Sequence, residues 1–160
     1  MKFLLMNHYP FEGSGSGTYI KNMAALLTRH GHQVCAIISE NELGFHVPDS
    51  VRAHPVFFTN KESIPGARKF NFPCFSTHPR SDQSFADLTE EQLKDYLSIF
   101  DKAIWEELTN FQPDIVHCQH LWLQPYLVSF YDTPYIITTF GTEFGRWTPA
   151  PSFCPTSGRR

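Results

Sequence analysis

Three short clusters in this sequence hold residue types that could do chemistry. The first is Gly13-Ser14-Gly15-Ser16-Gly17-Thr18, which runs straight into a stretch with helical spacing. At a helix start the backbone N–H groups and the positive end of the dipole face outward, and glycines let a phosphate come close to the chain. The same residues also suit a flexible glycine-serine turn, and taken alone the segment leaves both readings open. The second cluster is His117, Cys118 and His120, and the third is Phe140, Gly141, Thr142 and Glu143. No metal is expected at the second: neighbouring residues on a strand point to opposite faces, and no complementary Cys or His pair has zinc spacing. His117 reads equally as a core histidine bonded to a backbone carbonyl or as a ligand contact. His120, one step beyond its strand, is the better site candidate.

Several familiar chemistries fail on their required residues. No Gly-Lys-Ser or Gly-Lys-Thr follows the glycines, so the γ-phosphate and magnesium of a nucleotide triphosphatase would have no holder. A dinucleotide site is a stronger rival, because Glu40 ends the second strand where an acidic residue would accept ribose hydroxyls. Against it, Gly13, Gly15 and Gly17 give G-x-G-x-G instead of G-x-G-x-x-G, and His8 to Glu12 separate the strand from its first glycine. There is no G-x-S-x-G elbow, and no cysteine stands by a helix start that would lower its pKa.

The elements that must position these clusters follow from periodicity. Lys2 to Asn7 is a short apolar run ended by Pro10 and Gly13, as a buried parallel strand would be. Thr18 to His30 has helical spacing with Gly31 as its stop, and Gln33 to Ser39 is β-rich, which together make a right-handed βαβ unit. Val51 to Phe58 reads as a third strand, pushed to an edge by Pro55. Asn60 to Gln83 holds three prolines and a glycine and reads as a functional flap or mobile loop that adds nothing to the sheet. Thr89 and Gln92 form a capping box for a helix whose apolar stripe is Leu93, Tyr96, Leu97, Phe100, Ile104, Trp105 and Leu108. Asp114 to Cys118 and Tyr135 to Phe140 are the last two strands, with an aromatic helix or loop from Leu121 to Tyr131 between them. The fold class is therefore α/β: a Rossmann-like, mostly parallel sheet with flanking helices. In such sheets ligands bind beyond the carboxyl ends of the strands, and all three clusters fall on that edge.

Bulk properties narrow the function. The chain has 160 residues, 41% of them hydrophobic, enough for one domain with a core. We expect residues 1–145 to form that domain and 146–160, with three prolines, to be an irregular tail. A net charge of −3 offers no field for nucleic acid. No apolar run approaches the ~20 residues a membrane span needs, and four scattered cysteines show no disulfide framework, which points to the cytoplasm. The aromatic segment from His120 to Tyr131 has two readings, a core or pocket lining and a surface for peripheral membrane or partner contact.

Taken together, the motifs resemble glycosyltransferase family 4, retaining enzymes of the GT-B fold with two Rossmann-like domains facing a cleft. Residues 1–37 are similar to that family's opening of strand, glycine loop, helix and R-x-G-H-x-V turn. FQPDIVHCQHLW resembles its Pro-Asp-valine strand ending in a histidine cluster, and PYIITTFGTEF resembles its strand ending in Thr-x-His-Gly-Thr-Asp or Glu. The resemblance implies that Gly15, Ser16 and Gly17 line the donor phosphate and that His117, Phe140, Gly141, Thr142 and Glu143 shape the acceptor pocket; by its place beyond the strand His120 is the catalytic candidate, with a residue outside this chain as the alternative. The resemblance implies no cofactor and no metal, only a nucleotide-sugar donor and a sugar or lipid-linked acceptor.

Two departures bear on activity. Phe140 stands where the family pattern has a histidine beside the reacting sugar, and a phenyl ring cannot hydrogen-bond a hydroxyl. The donor-binding domain is missing, so the chain is expected to be the incomplete amino-terminal half of a GT-B fold and inactive alone, needing that domain in cis or in trans. Three readings follow: part of a retaining glycosyltransferase, a non-catalytic α/β module that binds a phosphate or nucleotide, and a nicotinamide-dependent fragment.

Overall fold

The computed structural model describes residues 1–59 and 64–142. The expected tail at 146–160 and the candidate Glu143 lie outside them. Five strands form one sheet: β1 (Lys2–Asn7), β2 (Gln33–Glu40), β3 (Val51–Phe57), β4 (Ile115–Gln119) and β5 (Tyr135–Thr138). Every pairing is parallel and the order is β3-β2-β1-β4-β5, so the first strand is central. The fold is α/β and Rossmann-like, as the alternation of strands and helices predicts. Pro55 does sit on an edge strand, opposite Ile38 of β2, where its missing N–H is tolerated.

Three α-helices cover the sheet. Helix α1 (Gly15–Arg29) begins three residues earlier than its periodicity suggests, because the Ser14 side chain caps it by accepting from the Gly17 N–H at 3.0 Å. The glycine-serine segment is therefore the first helical turn and not a loop ahead of it. It ends in a Schellman motif: Gly31 has φ +79°, its N–H reaches the Thr28 carbonyl at 3.0 Å, and His32 N–H reaches that of Leu27 at 3.1 Å. Helix α2 (Glu90–Asn110) opens with the capping box, Thr89 Oγ1 accepting from Gln92 N–H and Gln92 Oε1 from Thr89 N–H. The short α3 (Leu123–Val128) precedes β5.

Alternation along the strands sorts the core into two faces. Leu5, Val34, Ala36 and Ile38 meet Ile20 and Ala24 of α1 on one side. Leu4, Met6, Cys35, Ile37, Val116 and Cys118 meet Tyr96, Phe100 and Ile104 of α2 and Leu127 and Val128 of α3 on the other. The described part of the long excursion after β3 belongs to this second core. Phe70, Phe72 and Cys74 are at most 4% exposed, and single bridges tie Phe58 to Arg68 and Cys74 to Ser84. Residues 64–83 are thus a packed cover over one end of the sheet, not a loop standing clear of it, because their aromatic side chains fill the space between β3 and α2.

Helix α2 also departs from its apolar stripe. Trp105 is 57% exposed, while Glu107 faces inward at 3%. Its carboxylate is ion-paired with Arg52 and receives His54 Nδ1 at 2.7 Å, both from β3. Burial pushes this carboxyl up, but the Arg52 and His54 bonds outweigh it and the net displacement is downward. A depressed carboxylate stabilises the fold above its unfolded pKa of about 4.5 and loses that contribution as pH falls through the folded value. Arg52→Ala leaves the carboxylate with His54 and the Cys35 thiol and should cost about 2 kcal/mol in urea unfolding at pH 7, below the usual buried-pair loss because Arg52 is itself half exposed. The deficit should shrink as pH falls from about 4.5 through the lowered folded value; a deficit that does not shrink would show that the lost packing of Arg52 on Phe111, 5.6 Å away, was the cause.

Candidate functional site

Chain growth reverses direction between β1 and β4, which makes their carboxyl ends the switch point at which sheets of this kind form a ligand crevice. The residues that end these strands and follow them are Asn7, His8 and Tyr9 on one side, Gln119 and His120 on the other. All five are 6% exposed or less.

His120 has the left-handed φ of +69°, which a non-glycine residue adopts at a cost of about 1–2 kcal/mol. Its N–H is fixed to the Thr138 carbonyl of β5 at 2.8 Å. Its ring lies between Phe75, centroid 4.9 Å away, and Phe140, 4.8 Å away, with Tyr9 edge-on at 5.5 Å. His8, 5.9 Å from His120, bonds through Nδ1 to the buried Tyr96 hydroxyl. Burial first, and then the neighbouring His120, hold His8 well below the usual imidazole pKa, so it is neutral.

Hydrogen-bonding capacity is gathered here and not consumed by the described residues. His8 Nε2 and both side-chain polar atoms of Asn7 and of Gln119 are buried without a partner among them. A buried polar atom left unpaired costs about 1–3 kcal/mol, so such a concentration is what a polar ligand site would require. Above it lie Phe75, Phe85 and Trp122, in mutual ring contact at 4.8–5.9 Å. The crevice therefore has a neutral polar floor and an aromatic roof.

The sequence candidates separate on this frame. Phe140 joins His120, and its other neighbour is Tyr19 of α1 at 5.8 Å. Gly141, φ +82°, and Thr142 are exposed beyond β5. His117 packs instead between α1 and β5: its Nε2 pairs with Thr138 Oγ1 at 2.7 Å and its Nδ1 lies 3.2 Å from Met23 Sδ. Burial lowers its pKa. Among the glycines, Gly15 is exposed and Ser16 is 4% exposed, and their N–H groups start the helix before the i→i−4 ladder begins. Gly17 is different. It is buried, its N–H is spent on Ser14, and a Cβ there would stand 2.2 Å from the Pro10 carbonyl oxygen.

Glu40 does not present a free carboxylate to a ribose. It is 1% exposed and ion-paired with Arg80, which also donates from Nε and Nη2 to Asn41 Oδ1 at 3.1 and 2.7 Å. That weakens the dinucleotide reading. Among the described residues no three His, Cys, Asp or Glu side chains converge to hold a metal. The described cysteines Cys35, Cys74 and Cys118 are free and buried, their thiols pushed up by burial to about 12, about 11 and about 12. No helix among the described residues is long and apolar enough to cross a membrane.

His8, Tyr9, Tyr96, Phe75 and Phe85 were not among the site residues that spacing suggested. For His8 and Tyr9 a signal existed: they directly follow a buried parallel strand, on the ligand-binding edge. For Phe75 and Phe85 there was none, because only the packing of the excursion brings them over β1 and β4.

Sheet order, helix placement and crevice define a Rossmann-like α/β domain. Among solved structures its fold is similar to that of a sucrose-phosphate synthase from Thermosynechococcus elongatus, with a TM-score of 0.56 and 12% identity. The match covers 86% of this chain and 32% of that one, so the chain spans about a third of its neighbour's length. No family model and no curated protein matches the sequence.

Proposed function

We propose that this chain is the amino-terminal, acceptor-side part of a retaining glycosyltransferase similar to family 4. It transfers a sugar from a nucleotide-sugar donor to a sugar or lipid-linked acceptor, without metal or other cofactor. The observation that carries this reading is the gathering of His120, Phe140 and the unpaired polar groups of Asn7, His8 and Gln119 at the switch point of a glycosyltransferase-like sheet. In this reading Gly15 and Ser16 offer N–H groups to the donor phosphate, and His120 contacts the reacting sugar. His117, Phe140, Gly141, Thr142 and Glu143 shape the acceptor side, His117 indirectly through Thr138. The departing diphosphate needs cationic groups, which a donor-side domain supplies in cis or in trans, so the chain alone turns over no substrate. We place the protein in the cytoplasm, with Leu121, Tyr126 and Phe130, all exposed, as its surface for peripheral contact with the inner membrane face.

The test is hydrolysis and transfer from a panel of nucleotide sugars, by the chain alone and by a longer polypeptide that joins it to a donor-side domain. Turnover is expected only from the longer protein, and His120→Ala in it should lower kcat/KM by about 10²–10⁴-fold. An effect below threefold would remove His120 from the chemistry. One observation favours a second reading, a non-catalytic phosphate- or nucleotide-binding module: the apolar Phe140 ring lies tilted against His120, 4.8 Å between centroids, and offers a sugar hydroxyl no hydrogen bond. Nucleotide binding without turnover in the longer protein would establish it.

A further inference from the structure

A second concave site lies apart from the crevice, beyond the carboxyl end of β2. It is a cleft of about 530 Å³, bordered by Asn41 and Glu42 on one side and by Asn71 and His78 to Asp82 on the other. Its volume lies within the usual range of small-molecule sites.

The walls of this cleft are held by bonds that reach across it. Asn41 Nδ2 donates to Asn71 Oδ1 at 3.0 Å and to the Arg80 carbonyl at 2.7 Å, and Asn71 Nδ2 donates to that same carbonyl at 3.2 Å. Ser81 Oγ anchors the loop to the Phe72 carbonyl at 2.6 Å. His78 accepts the Arg80 N–H through Nδ1 at 3.1 Å and donates Nε2–H to the Glu12 carbonyl at 3.2 Å, which fixes one neutral tautomer. Burial lowers its pKa further. Its ring fills the place a side chain at Gly13 would need, coming within 2.7 Å of that Cβ position. Fixed planar amides and a fixed ring form a preorganised polar surface, which lowers the ordering cost of binding.

Charge decides the class of ligand. Arg80 is the one cation among the described lining residues, and it is neutralised by the buried Glu40. Glu42 and Asp82 are both exposed at the rim and leave the cleft with an excess of two negative charges. A phosphate or carboxylate would meet repulsion and no available bidentate arginine. Hydroxyl groups suit these walls: they can donate to the rim carboxylates of Glu42 and Asp82, and the Asn71 amide keeps one N–H and one lone pair to exchange with them, while the Asn41 amide is fully engaged within the wall.

We propose that this cleft binds a neutral, polyhydroxylated ring, a glycosyl unit of the acceptor other than the one that reacts at the crevice. The inference rests on the glycosyl-transfer reading for the word acceptor, but the binding it claims needs no donor and no turnover. It is tested on the full chain by NMR titration with methyl glucoside, methyl galactoside, methyl mannoside and maltose, with glucuronate and glucose 6-phosphate as charged counterparts. At least one neutral glycoside should saturate shifts at the Asn71 side-chain amide and at His78, and its charged counterparts should bind roughly tenfold more weakly at low salt. Asp82→Asn, a change on an exposed side chain, should narrow that discrimination by about threefold. Equal binding of methyl and octyl glucoside points to a soluble acceptor and tighter octyl binding to a lipid-linked one, and either supports the site. If no neutral glycoside shifts these residues, or if the charged sugars bind as tightly, the site is overturned. The transfer reading would then still stand or fall on nucleotide-sugar turnover alone.

Discussion

Acidification from pH 7 to pH 5 should cost this protein up to about 2 kcal/mol from His8 alone, and more with His78 and His117. All three imidazoles are buried, and burial is the leading cause that lowers each pKa. A histidine whose folded pKa lies below the unfolded value of about 6.5 leaves the unfolded chain binding more protons in between. Stability is therefore complete above pH 6.5 and falls as pH drops toward the folded value, by up to about 1.36 kcal/mol per unit and group. His8 keeps its slope furthest, because its pKa is lowered most. Glu40 acts in the other direction, since burial raises its carboxyl and protonation then favours the folded state, but it is one group against three. Urea midpoints at pH 7, 6 and 5 read the sum. His117→Gln, which keeps a hydrogen-bonding partner for Thr138, should flatten the upper part of the slope. A midpoint that does not move between pH 7 and 5 would show that these rings are protonated in the folded protein.

Gly17→Ala should destabilise the fold by at least about 3 kcal/mol, whereas Gly15→Ala, two residues away, should gain up to about 0.5–1 kcal/mol. Both glycines sit in the first turn of α1, and neither has a positive φ. The difference is steric. A methyl group at position 17 would press on the Pro10 carbonyl oxygen at 2.2 Å and on that of Phe11 at 2.9 Å, and backbone cannot rotate aside as a side chain can. At position 15 no heavy atom lies within 4 Å, so alanine only removes glycine's excess freedom in the unfolded chain. Equal stability of the two variants in urea would mean that the strand-to-helix connection yields and that Gly17 is not a packing glycine.

That contrast shows how far these clusters were legible in advance. Five strands, the two longer helices and the Thr89 cap follow from periodicity and turn residues, because those signals are local, whereas the short α3 lay in a segment that read equally as helix or loop. Glycine spacing could not reveal that Gly17 serves the approach of Pro10 while Gly15 faces solvent, since both fit an anion loop equally well. Glu107 lies at helical spacing from Ile104, on the inner face, yet a carboxylate reads as solvent-facing until Arg52 and His54 are known to stand opposite. Trp105 failed in the reverse sense: its size suggested burial, but it is one position off the stripe. The aromatic segment after His120 is split by burial, with Leu127 and Val128 in the core and Tyr126 and Phe130 exposed. His120 and Phe140 were recognised separately as clusters, but their stacking, and the roof that Phe75 provides, depend on contacts between residues far apart in the chain.

The central place of the first strand bears on how the protein is made. Leu4, Leu5 and Met6 leave the ribosome well ahead of the strand that flanks them on one side, which, with Phe3 opposite Ile115, is synthesised some 110 residues later. At roughly 5–20 residues per second, that flank stays open for about 5–20 s during translation. A nascent β1-β2-β3 sheet with an unpaired apolar border is a substrate for chaperones and a hazard for self-association, and synthesis that stalls before Val116 would lengthen the exposure.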